Sequence, residues 1–240
     1  MMQLRFGAKD RAAGLWQTLG LGRLERRLER IGVVAGEDGA QIVEIVHALT
    51  GRDRWDAVIH THRYTLLEEG TLHIQNHVRF AGDFADLPRV GLTLQLSSEL
   101  EDLVWYGRGP WDNYSDRKAS SMIDVYRSTV ADQYVPYIMP QEHGHKTDVR
   151  WLRLTNQDRY GLEVTSDGVF EFNALHYTDE DLTAAQHTPE LTPRREVLLH
   201  LDHGMRGVGT GLVTDTLPEY RLDDSEYRFA FDLKLIQHND

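Results

Sequence analysis

Cysteine is absent from all 240 residues, and with it go disulfides, thiolate zinc sites and cysteine nucleophiles. Long apolar runs are absent as well. Nothing approaches the roughly 18 consecutive apolar residues that a membrane-spanning helix requires, and the opening MMQLRFGAKDRAAGLW lacks the apolar stretch of about 7 to 15 residues that follows the basic end of a secretory signal. The chain therefore reads as soluble and cytoplasmic. Positive charge is in short supply, with 26 Lys and Arg against 38 Asp and Glu for a net −12, and no basic run reaches five residues. That balance argues against nucleic acid and anionic membrane surfaces as partners. Internal repeats, low-complexity tracts and Gly/Ser linkers are missing too. The organisation this predicts is a single domain over residues 15–240, preceded by a partly ordered tail over residues 1–14.

What the sequence does have is alternation with a period of two. It runs through residues 59–66, 71–80 and 90–96, the pattern of strands with one dry and one wet face. Glu68-Glu69-Gly70 between the first two is a hairpin signal. Further strands are expected at 149–155, 161–166, 169–175, 196–201 and 227–236, separated by Asn156-Gln157-Asp158, Asp167-Gly168 and the stretch 189–193. Many strands joined by short polar turns predict an all-β antiparallel sandwich. Two segments have helical features. Leu24, Leu28 and Ile31 fall at helical spacing in GRLERRLERIGVV, where helix and strand both remain open. The run TDEDLTAAQH over 178–187 is the better helix, with Thr178 placed as N-cap and Glu180 and Asp181 in the first turn.

Three groups of residues carry chemistry worth weighing. In WYGRGPWDNYSDRK, over 105–118, the aromatics Trp105, Tyr106 and Trp111 stand among Arg108, Asp116 and Arg117. Aromatic faces stack on sugar rings while charged groups bind hydroxyls, so a carbohydrate-facing loop is one reading. The other is a turn at Gly107, Gly109 and Pro110 in which Trp105 and Tyr106 close the core. Pro140-Gln141-Glu142-His143-Gly144, with Asp148 and Arg150 close behind, is likewise either a sugar-contacting patch through Glu142, His143 and Arg150 or a buried turn in which Arg150 pairs with Glu142 or Asp148. Among twelve histidines, His60 with His62 and His143 with His145 could each present two imidazoles. Neither pair has a third ligand at diagnostic spacing and no HExxH occurs, so no metal and no cofactor is expected.

The order WYGRGPWDNYSDRK, then YVPYIMPQEHGHKTDVRWLRL, then HGMRGVGTG and LPEYRL resembles the C-terminal β-sandwich of family 2 β-galactosidases, a portion found as the last domain of a long chain or as a separate small chain. The resemblance covers about Leu15 to Ile236. It implies a supersandwich of two large antiparallel sheets, similar to galactose mutarotases. It also implies that the two catalytic glutamates, which hydrolyse terminal β-galactosides in the complete enzyme, lie on a TIM barrel ahead of this domain. No segment here shows the alternating strand and helix of such a barrel, so no catalytic residue is expected in this chain. Its implied role is to complete the active-site pocket and the oligomer, with the large catalytic subunit or a second copy of itself as partner and a galactose-containing carbohydrate as ligand. Complete members carry a further stretch ahead of Leu15, which predicts an exposed edge or unfilled groove near the N-terminus. HGMRGVGTG resembles a loop that walls the aglycone side of the pocket through an aromatic, yet residues 211–215 contain none. Two alternatives stay open beside this: a mutarotase-type aldose epimerase using His176 and Glu142 as its acid and base, and a carbohydrate-binding module without chemistry.

Overall fold

The computed structural model describes residues 11–36, 40–51, 57–81, 84–209 and 216–237. The first half of the chain forms β1 (Glu25–Ala35), β2 (Gln41–Thr50), β3 (Val58–Leu66), β4 (Thr71–Phe80), β5 (Arg89–Leu96), β6 (Asp102–Gly109) and β7 (Met122–Thr129). The second half forms β8 (Lys146–Thr155), β9 (Tyr160–Leu175), β10 (Val197–Met205) and β11 (Glu226–Gln237). Every ladder is antiparallel, in the order β1-β2-β3-β4-β11-β9-β8-β6-β7, with β10 joined to β9 and β5 joined to β10. The antiparallel β-sandwich is therefore observed, and its two arms are one hydrogen-bonded network folded through β9.

Asp167-Gly168 does not separate two strands as the turn signal suggested. Residues 160–165 pair with β11, residues 171–175 pair with β10, and opposite β8 the register jumps from Val149↔Phe170 to Trp151↔Thr165. Residues 166–169 bulge out of the ladder while the strand keeps its direction, and the bulge lets one strand serve both arms. Between the arms, Trp105, Leu152, Leu154, Val164, Phe170, Phe172, Leu199, Leu201 and Phe231 form the main core.

The stretch GRLERRLERIGVV is strand β1. Its helix-like spacing arises from a bulge between Leu28 and Arg30, which shifts the parity so that Leu28 and Ile31 land opposite His47 and Ile45 on one face. Two true helices exist among the described residues, α1 (Arg11–Leu19) and α2 (Asp179–Ala184). Residues 11–14, expected in the tail, belong to α1, where Ala12, Trp16 and Leu19 are buried at helical spacing and Trp16 Nε1 donates to the Asp86 carbonyl at 2.6 Å. In α2 the cap is as expected: the Thr178 hydroxyl accepts from Asp181 N–H and the Asp181 carboxylate accepts from Thr178 N–H. The helix ends at Ala184, ahead of the expected His187, because Ala185 is already extended.

One sheet face outruns its cover. The rows Phe231–Ile74–Tyr64–Val43–Val33 and Phe229–Asn76–His62–Ile45–Ile31 run from the core out to the edge. Exposure climbs along them to 39% at Val43, 60% at Ile31 and 64% at Val33. The exposed edge expected near the N-terminus is thus β1 and the apolar face it shares with β2.

Candidate functional site: a polar cluster on the β5–β10–β9 face

The aromatic motif divides between core and surface. Trp105 is 1% exposed and donates its indole N–H to the Arg108 carbonyl at 3.0 Å. A Cβ at Gly109 would stand 2.9 Å from the Trp105 ring and 2.7 Å from Tyr126, so glycine is what lets these two rings stack at 5.3 Å. Trp105 is a core residue, correcting its place among sugar contacts. Trp111, at 68% exposure, faces solvent, and Tyr106 lies half-open beneath the Arg150 guanidinium, 5.3 Å from its ring centroid. Arg108 is spent on the fold: its Nε donates to Asp148 at 2.5 Å and its Nη1 to the Ser121 carbonyl at 2.7 Å. Lys118 joins the same carboxylate at 2.8 Å. Burial opposes the Asp148 charge, but the two cations outweigh it and hold its pKa low.

Asp116 and Arg117 act on the glycine-rich segment. The Asp116 carboxylate accepts Val208 N–H at 3.1 Å and Gly209 N–H at 2.7 Å, and Arg117 donates to the Gly209 carbonyl at 2.8 Å. Residues 210–215, where the pocket-walling role was weighed, lie outside the described residues.

The second motif rearranges more. Arg150 pairs with neither expected carboxylate and donates instead to the Asp148 backbone carbonyl. His143 is buried, bonded through Nδ1 to the Gln141 carbonyl at 2.8 Å and packed edge-on against Tyr134, which removes it from any ligand face. His145 turns elsewhere, to Glu171 at 3.1 Å. His176 hydrogen bonds to Glu101 and to the Glu196 carbonyl, both at 3.0 Å, whereas Glu142 meets Arg89 and Asn173. The epimerase pair of His176 with Glu142 is not formed.

Glu142 belongs to a cluster that the sequence did not disclose. Strand register sets His200 between Thr93 and Asn173, and Asp202 between Gly91 and Glu171. Alternation turns these side chains away from the core, while Leu199 and Leu201 point into it. Arg89 binds the group together, with Nη1 on His200 Nδ1 at 3.0 Å, Nε near Asp202 at 3.1 Å and Nη2 near Glu142 at 3.4 Å. A Cβ at Gly91 would meet the Asp202 carboxylate at 2.4 Å, so glycine opens the floor for that acid. Burial raises the Asp202 pKa to about 7, and burial followed by the Arg89 charge lowers His200 to about 3. Burial also works against the Arg89 cation, but Asp202, Glu142 and Asp179 together keep it protonated. Each strand contributes one or two of these groups from separated sequence positions, so only the polar alternation in HLDHG hinted at them.

Residues 8–233 match a family model described as beta galactosidase small chain. The chain belongs to that family. Similar curated proteins include beta-galactosidases of Priestia megaterium (33% identical over 174 residues, 71% of this chain and 17% of that protein) and Photobacterium profundum (31% over 229 residues, 93% and 21%). The beta-galactosidase of Vibrio cholerae is 30% identical over 227 residues, 92% of this small chain and 21% of that protein. The small chain thus spans about a fifth of the length of these relatives. Among solved structures, a GalM/aldose epimerase homologue from C. elegans aligns with TM-score 0.41 and 9% identity, over 88% of this chain and 70% of that one.

Proposed function

We propose that this chain is the non-catalytic small-chain part of a β-galactosidase, which docks on a larger catalytic part and with it hydrolyses terminal β-galactosides in the cytoplasm. The supporting observation is the uncovered face of β1 and β2. Leu28, Ile31, Val33 and Val43 continue rows that are core a few strands away, so this face is built like the inside of a larger assembly. A stable interface buries at least about 1,000 Å² in total. Four strand residues and their neighbours supply the apolar centre of such a patch.

The test is hydrolysis of a chromogenic β-galactoside by the purified chain, alone and mixed with a β-galactosidase large subunit lacking this region. Activity is expected in the mixture only, and Ile31→Glu with Val33→Glu should abolish it without unfolding the chain. Hydrolysis by the chain alone would defeat the proposal, and so would a mixture as active with the double variant as with the parent. Association of the chain with itself through the same face would appear as a dimer in sedimentation and would be dissolved by the same substitutions.

A further inference from the structure

Resting on the docking reading above, we propose that the uncovered face of β1 and β2 receives an apolar segment of another chain that carries a carboxylate, set at the margin of the face against Arg26.

Four rows of side chains cross this face. Arg26 is in register with Leu49 and then Val58, Leu28 with His47 and His60, Ile31 with Ile45 and His62, and Val33 with Val43 and Tyr64. Residues in register share a face. Leu49 and Val58 pack in the core that includes Leu19 of α1, so Arg26 stands on the same side of the sheet as the exposed Leu28, Ile31 and Val33. Rows two residues apart lie about 7 Å from one another. The apolar part of the face is therefore about 14 Å long from the Leu28 row to the Val33 row, and Arg26 is about 7 Å beyond one end of it.

Arg26 is a free cation. Among the described residues nothing hydrogen bonds to it or pairs with it, and it is exposed. Its charge reaches the neighbouring row, where, after burial, it is the second cause that lowers the pKa of half-buried His47. The other arginines of β1 and β3 are already spent: Arg30 and Arg63 hold Glu44 at 2.5 and 2.8 Å, and Arg27 holds Glu29 at 2.6 Å. None of the residues in the four rows is Asp or Glu. A partner that covers the apolar rows also takes water from Arg26, and a guanidinium desolvated without a counter-charge is costly. A carboxylate meets it with two parallel hydrogen bonds.

The same inventory selects the occupant. A second copy docked by this face across a two-fold axis presents the same rows, so it brings another Arg26 and no carboxylate. An anionic membrane or other polyanion calls for clustered cations, whereas these rows hold one and the chain as a whole is at −12. A different chain that puts one acid beside apolar side chains fits both the rows and the charge.

The experiment is NMR titration of the full purified chain with three synthetic peptides. Each alternates Val with Thr and ends its apolar stretch in Glu, Gln or Lys. The Arg26 Nε–H and the His47 ring report binding. The Glu peptide is expected to bind on the order of ten-fold more tightly than the Gln peptide, with the Lys peptide weakest. Arg26→Glu, a change at an exposed position that should leave the fold intact, is expected to reverse the order of the Glu and Lys peptides. The proposal is overturned if none of the peptides binds, if the three bind alike, or if the preference for Glu survives in Arg26→Glu. It is also overturned if sedimentation shows a dimer of the chain that Ile31→Glu dissolves, since the occupant is then a second copy. Failed complementation beside a clear Glu preference counts against the large subunit as the source of the segment, and successful complementation without that preference counts against the carboxylate alone.

Discussion

The Lys146 ammonium stands 5.3 Å from the centroid of the Trp105 indole, and both side chains are almost wholly buried. Lys146 donates to Gln133 Oε1 at 2.8 Å and to the Gly144 carbonyl at 2.9 Å, a side-chain amide and a backbone oxygen where a buried cation would ordinarily find a carboxylate. Burial lowers its pKa to about 8. Between about pH 8 and the ordinary lysine value the unfolded chain holds a proton that the folded chain has released, so stability rises with pH across that window. Below it the folded state bears a cost of roughly 3 kcal/mol at most. Urea unfolding at pH 7.5 and 9.5 should show this gain in the parent chain, and Lys146→Met should lack it.

Trp105 and Trp111, six positions apart, should respond oppositely to truncation. Trp105→Ala removes a ring packed on Tyr126 and Phe172 and should cost about 3–5 kcal/mol. Trp111→Ala, at an exposed position, should stay within about 0.5 kcal/mol. Thermal denaturation of the two variants is the check, and equal losses would refute the division of the motif between core and surface.

Acid should destabilise the chain well above the carboxylate range. Burial first of all holds His60 to a pKa of about 3 and His62 to about 4, and His200 sits at about 3. Folded values below the unfolded one mean that their stability is present above pH 6.5 and is lost as pH falls toward 4. Each contributes roughly 1.4 kcal/mol per pH unit below 6.5. Asp202 works the other way, because its raised pKa gives stability that is present below its unfolded value and is lost as pH rises through about 7. Three histidines outweigh one aspartate, so the melting temperature should fall between pH 6.5 and 5, and His60→Gln should flatten that fall.

Loss of the Asp116 carboxylate should free the start of the glycine-rich segment. Asp116→Ala leaves two backbone N–H groups of 208–209 without their acceptor, a cost of about 1–3 kcal/mol. Hydrogen exchange at Val208 and Gly209 should quicken while the amides of β10 remain protected, and unchanged exchange at both would contradict the capping role.

Much of the fold was readable before the structure. Alternation located β3, β4 and β5, since a half-buried strand writes its two faces directly into the chain, and the further strands expected between polar turns at 149–155, 196–201 and 227–236 are β8, β10 and β11. It did not locate β2, β6 or β7, and it misread Asp167-Gly168 as a break, because a bulge and a turn use the same small polar residues. The motif over 105–118 was visible as unusual, but composition could not say which aromatic faced inward. The site was less legible. Glu142 was singled out, while its partners Arg89, His200 and Asp202 were not, being single polar positions on separate strands.

By itself the sequence determined the absence of thiol chemistry, the antiparallel β class and the family, because these depend on composition, on period and on the order of motifs along the chain. Only the tertiary structure decided which side chains meet. Strand register is a long-range property, so Arg89 reaches Asp202 and His200 across more than a hundred residues. His176, offered Glu142 by sequence reasoning, finds Glu101 instead. The same register carries an inward-facing row past the end of its covering layer, which is why Ile31 and Val33, strand residues of core type, stand in solvent.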